Sequence, residues 1–456
     1  MRVGIIGAGA TGLTAAYDLG KMGHEAVVYE RAPFVGGQAS TFDVGGARLE
    51  RGYHHWFTND TDIIELVQEI GLGGQIRWIT STVGTLYDGK IYRFVTPLDL
   101  LKFKPLSMVD RIRMGLVTLY LQRQKSWRKY EGITADEWLR RHAGKGPYEA
   151  FWGPMLRGKF GDRFFDKVGM AWVWSKIQTR VASRGKGMIK EVLGYPIGSF
   201  GEVFDVLTDK VRELGGQVHI SASVDRIVIE DGRATGLEVS TGQGGKETTP
   251  EQSSNRGADE PKKLEKFDAV IATTPSYIFP RLVPELPEDY LAKLTGLDYL
   301  SAVLIILELD RSLSPVYWLN VADRSIPFVG VIEHTRLIGP EHYGGKHIVY
   351  LSNYLSTDHP MYKMGHEELL KAYEPHLRTI NPDFDPSWIS KSYHYRVDAA
   401  QPIIGTNYSS RMPSHRTPFS GLYLANTTQI YPEDRGTNYS VRMGRKLASM
   451  VAEDIS

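Results

Sequence analysis

The chain opens on a short apolar run, Arg2 to Ile6, followed by a glycine-rich turn, Gly7 to Gly12. The helix-like segment TAAYDLGKMG comes next, then a second apolar run, EAVVYE, that ends at Glu30. That order predicts strand, turn, helix and strand within one unit. Farther along, Gly198 to Gly216 places Val203, Phe204, Leu207, Val211 and Leu214 at helical spacing, and strand patterns follow at Gln217–Ile220, Val224–Ile229 and Ala234–Val239, the last two joined by a turn at Asp231-Gly232. Phe267 to Pro275 reads as a strand and turn, and Ser301 to Leu309 has the length and branching of a buried strand. The last strand pattern, Gly421 to Asn426, leads into Tyr431–Ala448, which ends as a helix. Leu98 to Gln124 interleaves Leu, Phe and Met with Lys and Arg, and is expected to form an amphipathic helical cap in solution rather than a helix on a membrane surface. Thr241 to Lys266 is polar without an apolar period and predicts a surface hairpin tip; a solvated charge run there is favoured over a partner-docking role.

With 456 residues the chain is long enough for two or three domains and needs no disulfide or metal staple. Lys plus Arg number 54 and Asp plus Glu 53, so the net charge is +1 and nucleic acid is excluded as the main partner. The absence of cysteine removes disulfides, thiolate metal sites, iron-sulfur clusters, cysteine nucleophiles and a flavin tethered through sulfur. It also fits a reducing compartment, and with no secretion signal after Met1 a cytoplasmic location is expected. No apolar run is long enough to span a membrane.

The candidate chemistry begins at the glycines. Gly7 permits the tight turn, Gly9 lets backbone approach a pyrophosphate, and Gly12 lets helix pack on strand. The pyrophosphate would rest on the helix N-terminus, at Ala10 and Thr11, where unpaired N–H groups and the dipole favour an anion. Glu30 stands at the end of the second strand, where a carboxylate accepts hydrogen bonds from adenosine ribose hydroxyls. These elements in this order predict a dinucleotide site.

The segment after Glu30, from Arg31 through Gly36, Gly37, Gln38 and Ala39 to Ser40, resembles the arginine and double-glycine extension of the flavin-containing amine oxidase superfamily. That superfamily includes protoporphyrinogen oxidases, carotenoid desaturases and UDP-galactopyranose mutases. The resemblance implies non-covalent FAD rather than NAD, in an α/β fold whose Rossmann-type FAD-binding domain is interleaved with a mixed-sheet substrate domain and a helical cap. The implied division is 1–90 for the first FAD part and the start of the substrate region, 91–194 for the cap, 195–280 for the second FAD part, 281–410 for the substrate sheet and 411–456 for the third FAD part. It also implies a backbone contact from Val224 to the adenine side, re-entry of the flavin domain at Thr273, a contact from Asn426 (usually Asp in relatives) to ribityl and phosphate, and a helix start at Arg435, Gly436, Thr437 and Tyr439 facing the flavin.

Gly46 to Asp60 carries His54 and His55 between aromatic residues. Adjacent histidines on a strand point to opposite faces, and no further ligands stand at suitable spacing, so no metal is expected. A similar segment borders the flavin ring in the mutases, so His54 and His55 are the candidate catalytic residues, one of them facing the flavin. An unperturbed histidine titrates near neutrality and can move a proton or orient substrate. Ile326 to His334 resembles a mutase strand that carries arginine where Gly330 stands here, which weakens the mutase reading. Leu156–Asp162 and the Trp-rich stretch 172–177 resemble the oxidase and desaturase side, and Arg157 and Lys159 there either attract a substrate anion or solvate a turn. Nine Trp and 24 Tyr predict an aromatic-walled pocket for a small-molecule substrate. The leading expectation is hydride transfer between substrate and flavin N5; the alternatives are a mutase-like enzyme without net redox change and a flavin-binding protein without turnover.

Overall fold

The computed structural model describes residues 1–183, 190–241 and 262–455. Arg2–Ile6 forms the centre of a five-stranded sheet in the order Gln217–His219, Glu25–Tyr29, Arg2–Ile6, Ala269–Ala272 and Leu422–Leu424, with every pairing parallel. Val3, Ile5, Val27, Val28, Val270 and Ile271 have no exposed surface, as a sheet covered on both faces requires. Neighbouring residues serve opposite layers: Ile5 and Val28 pack with Leu13, Val203 and Leu447, while Ile6 and Val27 pack with Ile227 and Leu237. The first layer is helical, built from Ala10–Lys21, Ser199–Glu213 and Thr437–Ile455. The second is an antiparallel sheet of Ala222–Glu230, Arg233–Thr241 and Lys262–Lys266.

The other half is built on a seven-stranded mixed sheet, Ile389–Pro402, Tyr299–Leu309, His347–Leu355, Gly330–Glu333, Trp318–Val321, Val83–Tyr87 and Lys90–Arg93. Alternation divides the Tyr299–Leu309 strand between two cores, with Val303, Ile305 and Leu307 against Leu369 and Leu377, and Leu304 and Ile306 toward Leu49 and Tyr350. The helices Met108–Arg123, Ala135–Ala143, Gly153–Phe164 and Met170–Ala182 form a cap beside this sheet.

Three expectations need correction. Lys262–Lys266, taken with the hairpin tip, is a strand because it pairs with Gly236–Ser240; residues 242–261 of that tract, with the docking role weighed for them, lie outside the described residues. Leu214 follows the Ser199–Glu213 helix as its C-cap and is 39% exposed instead of completing the buried face. Leu98 to Gln124 is two helices, Pro97–Leu101 and Met108–Arg123, and the second buries only Met114 and Leu121.

Candidate cofactor and active site

The Ala10–Lys21 helix starts inside the glycine turn. Gly9 is its N-cap without a side-chain hydrogen bond, and the first turn holds no acidic residue. The first intrahelical bond runs from Leu13 N to Gly9 O, so the N–H groups of Ala10, Thr11 and Gly12 have no partner within the helix. Gly12 holds the helix on the strand, for a Cβ there would stand 2.0 Å from Gly7 O, and Gly7 itself has φ +104°. The Glu30 carboxylate accepts from Ala8 N (2.9 Å) and Ala32 N (2.8 Å). It shapes the turn, and each oxygen keeps a lone pair that a ribose hydroxyl can use.

The double glycine closes over this turn. Gly36 N donates to Ala8 O at 2.8 Å, and Gly36 and Gly37 have φ +101° and +57°. A Cβ on Gly37 would lie 3.2 Å from Gly9 Cα, whereas a Cβ on Gly9 would meet nothing nearer than Gly37 Cα at 3.8 Å. The two backbones face each other here, and the Gly37 side of the gap requires glycine through both its φ and its close approach to Gly9. Thr273 N and Oγ1 both donate to Ile6 O, at 2.9 and 2.7 Å, beside the turn. Val224 pairs with Val239, and the start of its strand is tied to the end of the second strand by Ala222 N to Glu30 O. Arg31 is exposed and Ala39 buried. The Gln38 amide reaches Ala399 O at 3.4 Å, and Ala399 has φ +51°, a strained backbone for a residue with a side chain.

Tyr53, Tyr354 and Arg435 form one connected group, with His54 and His55 following Tyr53 in the chain. Arg435 Nη2 donates to Tyr354 OH (3.1 Å) and Nε to Gln401 Oε1 (3.3 Å), while Tyr53 OH lies 3.1 Å from Tyr354 OH. Lys159 Nζ sits 4.6 Å above the Tyr354 ring and 3.4 Å from Asp434 Oδ2, which Lys176 Nζ meets at 2.7 Å. Burial would raise the Asp434 carboxyl, but Lys159, Lys176 and Arg435 outweigh it and hold the group well below the usual carboxylate range. Burial likewise opposes ionisation of Tyr354, yet Lys159 and Arg435, with the hydrogen bond from Tyr53, bring this phenol down to about 8. A difference titration of tyrosinate absorbance should therefore show a transition near pH 8 that Tyr354→Phe removes. A phenol more acidic folded than unfolded adds stability as pH rises from about 8 toward about 10 and loses it as pH falls again.

The C-terminal helix begins beside this cluster. Thr437 Oγ1 accepts from Trp56 Nε1 at 3.1 Å, Asn438 Oδ1 accepts from Ile63 N at 3.1 Å, and Gly436 and Tyr439 are half-buried next to them. Gly444 lets this helix approach the first one, since a Cβ there would lie 2.5 Å from Thr11 O.

Two site expectations fail on geometry. The Asn426 side chain has no free polar group: Oδ1 accepts from Thr428 N (3.0 Å) and Thr428 Oγ1 (2.7 Å), and Nδ2 donates to Thr274 O (2.9 Å). Asn426 caps the short 3-10 turn Thr427–Gln429 instead of reaching toward ribityl or phosphate. His54 and His55 precede the strand Trp56–Phe57 instead of lying on one, so alternation does not divide them. Their Nδ1 atoms are bound to Gly52 O and Tyr317 OH. Burial lowers His54 to about 4, with Arg435 adding to the fall, and burial with Arg180, His54 and Lys176 lowers His55 to about 3. A part for either in orienting substrate or moving a proton would therefore rest on the neutral imidazole and not on a value near neutrality. The pH profile of flavin reduction between pH 5 and 8 should keep its shape when either is replaced by Gln.

Lys176, Asp434, Tyr354 and Glu50 escaped the sequence reading. Lys176 follows Trp172 by one helical turn, and Asp434 precedes Arg435, but nothing in the sequence signals that the two meet. Glu50 has no exposed surface and accepts from Tyr195 OH and Phe200 N, and burial pushes it up to about 7 against those bonds.

A profile of the flavin-containing amine oxidoreductases matches residues 10–433. The chain belongs to this family. A probable zeta-carotene desaturase of Synechococcus elongatus is 27% identical over 34% of this chain and 37% of its own length, so the match spans little more than a third of that protein. The 15-cis-phytoene desaturase of Glycine max is 20% identical over 100% of this chain and 80% of its own. Among solved structures, cyclohexylamine oxidase from Brevibacterium oxydans has a TM-score of 0.72 at 15% identity, with 100% of this chain and 99% of that one covered. A protein assigned as a protoporphyrinogen oxidase from Exiguobacterium has a TM-score of 0.74 at 18% identity, with 99% of each chain covered. These structural matches share the fold. Among the described residues no helix is long and apolar enough to cross a membrane, and no group of three or more metal-ligating side chains gathers.

Proposed function

We propose that the protein holds one FAD non-covalently and catalyses hydride transfer between a small-molecule substrate and the flavin. The observation that carries this reading is the double backbone cradle, in which the uncapped start of the Ala10–Lys21 helix faces Gly37 across Gly9 while Glu30 stands beside it. When bound, FAD supplies the hydride acceptor at N5. In this reading Ala10, Thr11, Gly36 and Gly37 hold the pyrophosphate, Glu30 holds the ribose, and the Gln38 and Arg435 sides border the ring. Tyr53, Tyr354 and Trp318 wall the substrate space with aromatic surface, Tyr53 and Trp318 meeting edge to face at 5.0 Å. Arg435 and Lys159 place positive charge in that wall, where it favours the anionic form of a reduced ring or of a substrate group.

The mutase-like alternative finds no support at Gly330. Glycine supplies no cation at that place, and a Cβ there would stand 2.8 Å from Ser352 Oγ, so a longer side chain would have to turn that hydroxyl aside. Anaerobic mixing with amines, polyenes, porphyrinogens and nucleotide sugars separates the readings: the hydride-transfer reading expects bleaching of the oxidised flavin by one of the first three. Turnover of a nucleotide sugar only after chemical reduction of the flavin would overturn it.

A further inference from the structure

The Met108–Arg123 helix wears its apolar side chains outward. Met108 is 54% exposed, Val109 74%, Ile112 53%, Leu116 61%, Leu119 39% and Tyr120 48%. Their spacing lines them along one face of the helix. Leu98 (64%) and Leu101 (43%) on the preceding helix extend the patch, since the two helices pack through Leu100 against Gly115. Eight of the sixteen strongly exposed large hydrophobic residues among those described lie in this stretch. Isolated exposed leucines are ordinary; a contiguous patch of this kind marks a contact surface.

The charge around the patch selects the partner. Between Pro97 and Tyr130 the chain carries eight lysines and arginines against two aspartates, Asp99 and Asp110, although the whole molecule has a net charge of only +1. Both aspartates are spent on helix caps, Asp99 with Thr96 and Asp110 with Ser107. Lys102, Lys104, Arg113, Arg123 and Lys125 are exposed. The helix cannot turn its apolar face inward, for its C-terminal end is fastened to the next layer: Gln178 Nε2 donates to Leu121 O (2.9 Å) and Trp174 Nε1 to Gln124 O (3.2 Å).

We propose that this face of the cap docks the protein onto the surface of an anionic phospholipid bilayer. The apolar stripe enters the boundary between headgroups and acyl chains, and the flanking lysines and arginines, with their stems along the stripe, meet the phosphates. Contact of this kind needs no spanning helix. An acidic protein partner is less suited to a largely aliphatic stripe with cations on its flanks.

Co-sedimentation of the whole flavin-loaded protein with vesicles tests this. Binding is expected to phosphatidylcholine vesicles containing phosphatidylglycerol, weaker binding to phosphatidylcholine alone, and release as salt rises. Replacing Lys102 and Lys104 with Ala should weaken binding about five-fold for each lysine. Ile112→Ser with Leu116→Ser should weaken it more than ten-fold on both vesicle types, because each exposed aliphatic side chain contributes to insertion. Both variants change exposed side chains, so flavin content and thermal melting should equal those of the unaltered protein; a binding loss accompanied by either change is discarded in favour of Ile112→Ala, read the same way. Wild-type protein that stays in the supernatant with anionic vesicles overturns the proposal. So does equal binding by all variants, or a wild-type dimer that the serine variant makes monomeric with no vesicle binding by either.

Discussion

Gly9→Val is expected to yield a folded protein that has lost flavin binding by at least a hundred-fold, while Gly12→Val is expected to yield little folded protein at all. The two glycines sit three residues apart in one turn, yet their surroundings differ. A Cβ on Gly12 meets Gly7 O at 2.0 Å, a backbone atom that cannot step aside without separating helix from strand. A Cβ on Gly9 meets no protein atom nearer than 3.8 Å, and Gly9 has φ −81°, which any residue adopts. What a valine at Gly9 would meet is the phosphate. Thermal melting and absorbance near 450 nm, read on both variants, separate the outcomes. A Gly9→Val protein with full flavin content would remove the cradle from the account.

Asp434→Asn is the second large effect. The carboxylate balances Lys159 and Lys176 by direct contact and Arg435 by proximity, and its side chain is 8% exposed. Removing one partner of a buried ion pair leaves the other charges uncompensated; the loss here is about 3 kcal/mol, at the low end of that class because Lys176 is 35% exposed and partly screened. The destabilisation should appear in thermal or urea unfolding and should shrink when Lys176→Met is added, a non-additivity expected of groups in contact. The sign of its pH dependence is fixed. Asp434 is more acidic folded than unfolded, so the wild-type advantage is full above about pH 4 and falls as pH drops below it. A variant as stable as wild type at neutral pH would show that solvent, not Asp434, compensates the lysines.

The cofactor half was legible because its requirements are local. Gly7 answers the turn's own φ of +104° and Gly12 the approach of Gly7 O five residues before it, and Glu30 closes the same unit through Ala8 N. The double glycine was legible through a resemblance, and its geometry adds why both positions need glycine: both have positive φ. The interior was less legible because its contacts join remote segments. Lys176 and Asp434 meet across two elements, and Tyr354 reaches Tyr53 from a different sheet region. The neutral state of His54 and His55 depends on burial and on Arg435, Lys176 and Arg180, none of them neighbours in sequence. Asn426 misled for a related reason: its Oδ1 is taken by the Thr427–Gln429 turn and its Nδ2 by Thr274 O, a partner 152 residues away in the chain. The cap misled because periodicity reports that a helix is striped and not which way the stripe faces.

FAD held in the glycine cradle is tested by release of the bound flavin. Protein purified without added cofactor is denatured by heat or acid, separated from the supernatant, and the supernatant analysed by mass spectrometry and absorbance. Free FAD is expected in the supernatant at about one per chain, with none on the precipitated polypeptide. A purified protein that carries no flavin and binds none when FAD is supplied, or that carries FMN, NAD or a flavin remaining attached to the chain, would contradict it.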